Sequence, residues 1–466
     1  MNHQDISTAL LEIENEIRID KCVLGRTSLW PIFRNYVSGA LIRINRSSTK
    51  STKKKIAFRN YIFAFLISLT NVIFKRSGRA KTVLMVTDQI YTVQLANQDF
   101  DRVLFGIADE AGLDSETIVI VDNAHMNFVD LNATSYNWIE SFIFTSRCLA
   151  MVLAVIMLKL SRASTFISKK FRLNTLLDFN QNINKLLKKI DPRIQDIELL
   201  RNTLSVYYHS LFINYFFKNS SFTDVYHTNS FDPISSAINL AASRNRVNTI
   251  CCQHGNQAES NPYFCKWSLD FDSNNSVFCK TYLCWDESSA KSIRNWRLNG
   301  SPPNIIISSN KWLPYAKKLA IQSLKPSENL QSSLCYFNVV VTLQPSFNIS
   351  EHFFDALLEY SPKVKLWIRF HPAMTEVNEH CISRWVKMHE RAEIENELTL
   401  PELLSFADLH VTASSSSIFE AVNAEIYTLF VSENACSYFA HFIADGHAEY
   451  IANPTGITDY LARMNV

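Results

Sequence analysis

The sequence predicts an α/β protein of two successive doubly wound units facing across a cleft, behind a helical and basic N-terminal preface. Three observations predict it. Short apolar runs end repeatedly in polar residues, as parallel strands do when their carboxyl ends face a cleft. Segments of helical spacing alternate with those runs, which is the pattern of βα units. At 466 residues the chain exceeds one ordinary core, and a break near Gly300-Ser301-Pro302-Pro303 divides the runs into two series.

The expected boundaries are 1–80 for the preface, 81–310 for the first unit and 311–466 for the second. In the preface, Ile13 to Tyr36 contains Leu29-Trp30-Pro31-Ile32-Phe33-Arg34, an aromatic element in which Pro31 starts a helix. In the first unit, Val83–Asp88, Thr117–Asp122, Asp224–Asn229, Asn248–His254 and Tyr282–Asp286 read as strands. Leu173–Lys218 and Pro233–Arg244 read as helices between them. After a linking helix around Trp312 to Ser323, the second series runs through Asn338–Gln344, Val364–Phe370, Leu409–Thr412 and Thr428–Val431. Its helices are Ser350–Tyr360, Cys381–Arg391, Pro401–Phe406 and Ile418–Ala424.

Composition narrows the function classes. A hydrophobic content of 47% supports a globular protein, and a net charge of only +2 argues against a nucleic-acid partner. The ten cysteines contain no CxxC pair, so neither a zinc site nor a disulfide framework is indicated, and a reducing cytosol suits them. Met1 to Asp20 is polar and carries several acids, unlike a secretory signal. No GxGxxG or GxxxxGK[ST] occurs, which disfavours dinucleotide and P-loop chemistry.

Charge is unevenly spread. From Arg43 to Lys81 there are eleven Lys or Arg and no Asp or Glu, bracketing the apolar Tyr61–Phe74. That segment falls short of the roughly 20 residues of a membrane span. With its basic borders it reads either as an interfacial helix on anionic lipid or as a core helix with solvated ends. Cys148–Leu160 repeats the pattern within Ser141–Leu177, a stretch without an acid that includes Arg147, Lys159, Arg162, Lys169, Lys170 and Arg172.

Two strand ends in the second unit carry the strongest chemical signal. Trp367-Ile368-Arg369-Phe370-His371-Pro372 places a guanidinium and an imidazole where a strand leaves its sheet, groups able to contact a diphosphate. Leu409–Thr412 runs into Ser414, Ser415, Ser416 and Ser417 and then a helix, where N–H groups, hydroxyls and the helix dipole would converge on phosphate. Glu420 fits a capping box with Ser417, or a contact with a ribose hydroxyl. In the first unit Gln253-His254-Gly255 follows a strand. His254 is a candidate base for an acceptor hydroxyl and Gly255 permits close backbone approach, with Glu259 and Asp286 as further base candidates. Asp270-Phe271-Asp272 is formally a DxD but reads as solvated loop carboxylates.

These residues resemble bacterial surface-polysaccharide glycosyltransferases of the GT-B architecture, in which two Rossmann-like domains enclose a nucleotide donor. His371-Pro372 and Ser414–Ser417 resemble the HP and Ser-rich motifs of sialyltransferases and Kdo transferases. Similar elements occur in CDP-glycerol glycerophosphotransferases, whose His-Gly pair His254-Gly255 resembles. The chain differs from the latter in Gln253, where they often have Trp, and from sialyltransferases in lacking an acidic base motif ending in Gly. The resemblance implies an inverting, metal-independent transferase without a cofactor. It would move a sugar from a nucleotide-activated, CMP-linked donor to a capsule or lipopolysaccharide glycan at the inner face of a bacterial membrane. A CDP-polyol phosphotransferase, a sugar-nucleotide epimerase and a non-catalytic scaffold of the same shape are the alternatives.

Overall fold

The computed structural model describes residues 3–17, 19, 22–24, 27–44, 82–87, 92–95, 98–110, 112–113, 118–122, 138–164, 173–190, 199–257, 261–267, 276–296, 303–314, 335–344, 349–371, 374 and 376–465. Tyr61–Phe74, Asp270–Asp272, Glu259, Pro372 and most of the linking helix after Trp312 lie outside the described residues. The chain forms two compact units, Met1–His254 with Glu259–Ser309, and Gly255–Ala258 with Asn310–Val466.

Unit 1 is built on a fully parallel sheet. Its strands are β3 (Val83–Thr87), β6 (Ile118–Asp122), β7 (Asp224–His227), β8 (Asn248–Cys252), β9 (Thr281–Cys284) and β10 (Asn304–Ile307), in the order β10-β9-β8-β7-β3-β6. Every residue of β3 is buried, as an interior strand covered on both faces requires. Two short antiparallel pairs stand apart from this sheet: β1 (Val23–Leu24) with β2 (Thr27–Ser28), and β4 (Thr92–Leu95) with β5 (Gln98–Asp101).

The helices of unit 1 are α1 (His3–Glu16), α2 (Trp30–Ile44), α3 (Phe105–Glu110), α4 (Trp138–Ala163), α5 (Leu173–Ile190), α6 (Leu199–Lys218), α7 (Pro233–Arg244) and α8 (Glu287–Arg294). On α5 the buried residues Leu173, Leu176, Phe179, Ile183 and Leu187 recur every three to four positions, so one stripe faces the core. Asp232 starts α7, its Oδ1 accepting from the Ile234 and Ser235 N–H groups at 2.7 and 3.0 Å, with Pro233 in the first turn.

The described residues between 3 and 44 pack into the core of unit 1. Ile6, Leu10 and Ile13 of α1 and Trp30, Phe33, Val37 and Leu41 of α2 belong to one buried cluster with Leu84 and Val86 of β3. The rings of Trp30 and Phe33 pack edge-on against Phe179 of α5, with centroids 5.9 and 5.4 Å away. The sequence marks a helical preface with Pro31 as a helix start, but the docking depends on partners in β3 and α5 far along the chain.

Cys148–Leu160 lies in α4, with one face buried and the other exposed. Cys148, Ala150 and Ala154 are buried, whereas Met151, Leu153, Ile156 and Leu160 are 38–47% exposed beside an exposed Lys159. No helix among the described residues is long and apolar enough to cross a membrane.

Unit 2 is a second parallel sheet, of β11 (Phe337–Thr342), β12 (Val364–Arg369), β13 (Ala392–Ile394), β14 (Leu409–Thr412), β15 (Thr428–Phe430) and β16 (Ala448–Tyr450). The order is β13-β12-β11-β14-β15-β16. Its helices are α9 (Glu351–Tyr360), α10 (Glu376–Val386), α11 (Leu400–Leu404), α12 (Ile418–Asn423), α13 (Asn434–Tyr438), α14 (Ala440–Ala444) and α15 (Pro454–Arg463). Thr399 and Glu402 form a complete capping box at α11, and Arg391 ties the end of α9 down through the Leu358, Ser361 and Val364 carbonyls.

Each sheet begins with an interior strand, from which the chain winds first to one side and then to the other. In unit 1 that strand is β3, between β6 and β7, and in unit 2 it is β11, between β12 and β14. The carboxyl end beside such a strand is where open α/β sheets bind ligands, because the crossovers on its two sides leave in opposite directions and open a crevice.

Candidate functional site

In unit 2 the two sequence-predicted strand ends are those that flank the switch strand. His371 follows β12 and the serines follow β14, with β11 between them. Three adjacent carboxyl ends therefore carry Arg369 and His371, Gln344, and Ser414–Ser417. The main chain ties two of them together, since Leu343 N–H donates to the Arg369 carbonyl at 3.0 Å.

The four serines are not equivalent. Ser414 is clamped by Gln344, whose Nε2 donates to the Ser414 carbonyl at 3.0 Å while Ser414 Oγ donates to Gln344 Oε1 at 3.3 Å. Ser415 Oγ accepts from the Ser417 N–H at 3.2 Å and so shapes the turn itself. Ser417 is 7% exposed and its hydroxyl points into the core, 2.9 Å from Thr342 Oγ1 and 3.3 Å from His410 Nε2. Ser416 is partly exposed, and among the described residues neither its hydroxyl nor its N–H has a hydrogen-bond partner.

Two expectations change here. Ser417 has helical backbone angles, φ −57 and ψ −16, and makes no side-chain cap bond, so the Ser417–Glu420 capping box does not form. The reason is competition: the hydroxyl that would have capped the helix is taken by Thr342 and His410. The helix it precedes, α12, has six residues, too short for a large macrodipole, so any anion binding here depends on the turn's own N–H and hydroxyl groups. Glu420 is 9% exposed on that helix.

Arg369 and Asp286 also take structural duties. Arg369 donates from Nη1 to the Leu398 carbonyl, in the chain that follows β13, so part of its fork is spent on the neighbouring loop. Asp286 is the N-cap of α8, with Oδ1 accepting from the Ser289 N–H at 2.7 Å. An Asp directly before a helix is the ordinary sequence signal for that role. His371 is partly exposed, and its carbonyl accepts from Met374 N–H at 2.8 Å as the chain turns out of the sheet.

His410, which the sequence reading passed over, lies at the centre of the site's support. It is fully buried on β14, with Nδ1 3.0 Å from Thr428 Oγ1 and Nε2 3.0 Å from Thr342 Oγ1. Burial lowers its pKa from 6.5 to about 3, which keeps it neutral at physiological pH. The signal was present as an alternation, His410 and Thr412 polar between apolar Leu409 and Val411, which places two polar groups on one face of a buried strand.

In unit 1, His254 lies at the carboxyl end of β8. Gln253 before it is 1% exposed and locked, donating from Nε2 to Ser289 Oγ at 2.9 Å and accepting at Oε1 from the Trp285 N–H at 2.6 Å. His254 is partly exposed; desolvation lowers its pKa to about 4 against a raising hydrogen bond with the Thr228 main chain, and Arg102 lowers it further. It is therefore neutral at pH 7, the form a base requires, though weaker than free imidazole. The adjoining peptide is where the chain passes from unit 1 into unit 2. Within unit 2, a Cβ built on Gly255 would lie 3.6 Å from Ser416 Oγ, so the backbone after His254 runs against the serine with uncommitted donors.

No protein-family model and no curated protein matches the chain. Solved structures do. One is the S. aureus MnaA–UDP co-structure, at 12% identity, covering 82% of this chain and 88% of that one with a TM-score of 0.50. Another is a Listeria monocytogenes protein assigned as a UDP-N-acetylglucosamine 2-epimerase, at 14% identity, 83% and 88% coverage and a TM-score of 0.50. The fold is GT-B. The likeness covers more than four-fifths of the chain and concerns the fold alone.

Proposed function

We propose that this chain is an inverting glycosyltransferase whose C-terminal unit holds a nucleotide-activated sugar. The HP and serine motifs favour a CMP-linked donor, and the acceptor is a glycan of capsule or lipopolysaccharide type. The observation that carries the reading is the serine turn at the switch point of unit 2, with the Ser416 hydroxyl and N–H uncommitted and Gly255 against it. Phosphate oxygens would accept from these donors and from His371, and Glu420 would receive a ribose hydroxyl. His254, one residue before Gly255, would take the acceptor proton as the sugar's anomeric carbon is displaced from the phosphate with inversion.

Calorimetric titration with CMP, CDP and UDP tests the donor site. The expected result is binding of at least one, strongest for CMP, weakened about tenfold or more by Ser416→Ala or His371→Ala. Binding of none, or unchanged binding in both variants, overturns the assignment. The UDP named for one solved structure and the epimerase assignment of the other favour a second reading, epimerisation of a UDP-sugar. Incubation with nucleotide-sugar and no acceptor separates the two, because only an epimerase then changes the sugar.

The acceptor side would lie at an anionic membrane surface. The exposed row Leu153, Ile156 and Leu160 on α4, beside Lys159 and in a stretch without acids, supports this reading. Co-flotation with phosphatidylglycerol vesicles should be seen in low salt and fall sharply in Ile156→Glu/Leu160→Glu. Equal flotation of wild type and variant would exclude α4 as the contact.

A further inference from the structure

The serine turn is pinned at both ends and open in the middle. Gln344 holds Ser414, and a buried triangle of Thr342, His410 and Ser417 holds the other end, with sides of 3.0, 2.9 and 3.3 Å. Ser416 lies between the two anchors with its donors uncommitted. We propose that His410 is the positioning residue of this turn: by holding the Ser417 hydroxyl in the core it fixes the backbone on which Ser416 presents its N–H and hydroxyl to phosphate. The proposal rests on reading the turn as the donor-phosphate site.

Strand register accounts for the geometry. β14 lies between β11 and β15, with His410 directly opposite Thr428 on one side and Thr342 opposite Thr412 on the other. The imidazole therefore spans from one neighbouring strand to the other and meets Ser417 above the sheet. One assignment of protons satisfies all three partners: Nδ1–H donates to Thr428, Nε2 accepts from Thr342, and the Ser417 hydroxyl donates to Thr342 Oγ1. Thr412 Oγ1, donating to the Thr342 carbonyl at 2.9 Å, braces the same strand.

An apolar side chain would fill this space without the cost of burying three polar groups, so a core selected for packing alone gains nothing from the imidazole. What the imidazole adds is direction. It sets which way Ser417 points, and a serine turned outward to cap α12 would carry the 415–417 backbone with it. Preorganised donors act on a phosphate because they need not reorient when it arrives.

The test uses the full-length protein with CMP, CDP and UDP as probes, read by calorimetric Kd and by thermal midpoint. Thr342→Val and Ser417→Ala are near-isosteric removals that should fold, and each is expected to weaken nucleotide binding several-fold. His410→Leu is expected to weaken it about tenfold, and His410→Asn, which keeps one donor and one acceptor, to restore most of the loss. A purely structural His410 would lower the midpoint while leaving Kd unchanged across the series, which overturns the proposal. If these variants bind as wild type while Ser416→Ala does not, positioning by His410 is wrong and the donor site stands. If wild type binds none of the three nucleotides, the site reading fails and this inference with it.

Discussion

Unit 1 and unit 2 bury polar groups in different ways. In unit 1 the guanidinium of Arg34 and the carboxylate of Glu14 are completely buried, paired at 2.9 Å between Nε and Oε1. Trp30 Nε1 adds a 2.9 Å bond to the same carboxylate oxygen, and Arg34 also donates to the Lys266 carbonyl at 2.6 Å while lying 3.8 Å over the Trp267 ring. Nearer the carboxyl end of its sheet, His227 Nε2, Ser230 Oγ and Tyr282 Oη are buried with no hydrogen-bond partner at good geometry among the described residues. In unit 2 the central polar group is an uncharged imidazole whose two nitrogens meet hydroxyls on two neighbouring strands. A buried charge is tolerated only while its partner stays in place, whereas a neutral network divides its cost among several bonds. The contrast places the mechanical vulnerability of the molecule in unit 1 and a preorganised polar platform in unit 2.

The largest effect that would break this comparison is on the buried pair. Arg34→Met should destabilise unit 1 by about 3–5 kcal/mol, since it strands the Glu14 carboxylate. In unit 2, Arg391→Met removes three bonds to carbonyls at a partly exposed helix end and should cost about 1–3 kcal/mol, because water can replace the guanidinium there. Denaturant unfolding followed by hydrogen exchange in each unit measures both, and equal losses would show that burial of the ion pair does not distinguish the units.

A smaller, pH-dependent effect sharpens it. Burial lowers the pKa of His209 from 6.5 to about 3 and of His227 to about 4 in unit 1, and that of His410 to about 3 in unit 2. Each folded pKa lies below its unfolded value, so the unfolded chain binds more protons between the two. The stabilisation is therefore fully present above about pH 6.5 and is lost as pH falls toward 4. With His254, lowered to about 4, unit 1 holds three such histidines against one in unit 2, and it should lose protection against hydrogen exchange at a higher pH than unit 2. Simultaneous loss, or loss first in unit 2, contradicts the comparison.

Much of the fold was legible in the residues. Val83-Leu84-Met85-Val86 and Asn338-Val339-Val340-Val341 read as buried strands because a run apolar on both faces suits only the interior of a parallel sheet. Asp232-Pro233 marked the start of α7 through cap chemistry that is local in sequence. Elements without such signals were missed. β4 and β5 carry Gln94, Gln98 and Asp99, a polarity that hides a two-stranded pairing. β10 follows Pro302-Pro303 and is an exposed edge, so neither burial nor alternation marks it. α10 begins at Glu376, ahead of its reading from Cys381, because its first turn is polar.

For the site, sequence alone determined that polar residues stand at the carboxyl ends of β8, β12 and β14, since strand identity and the following turn are local properties. It could not rank four consecutive serines, nor choose between a capping box and a ribose contact for Glu420. Those choices belonged to partners far along the chain: Thr342 lies 68 residues from His410 and 75 from Ser417, yet the three hydrogen-bond together. Only sheet assembly brings β11 beside β14, and with it the competition that turns Ser417 inward and leaves Ser416 uncommitted. Local propensity decides where a turn forms; the hydrogen-bond partners delivered by neighbouring strands decide which of its atoms remain available for chemistry.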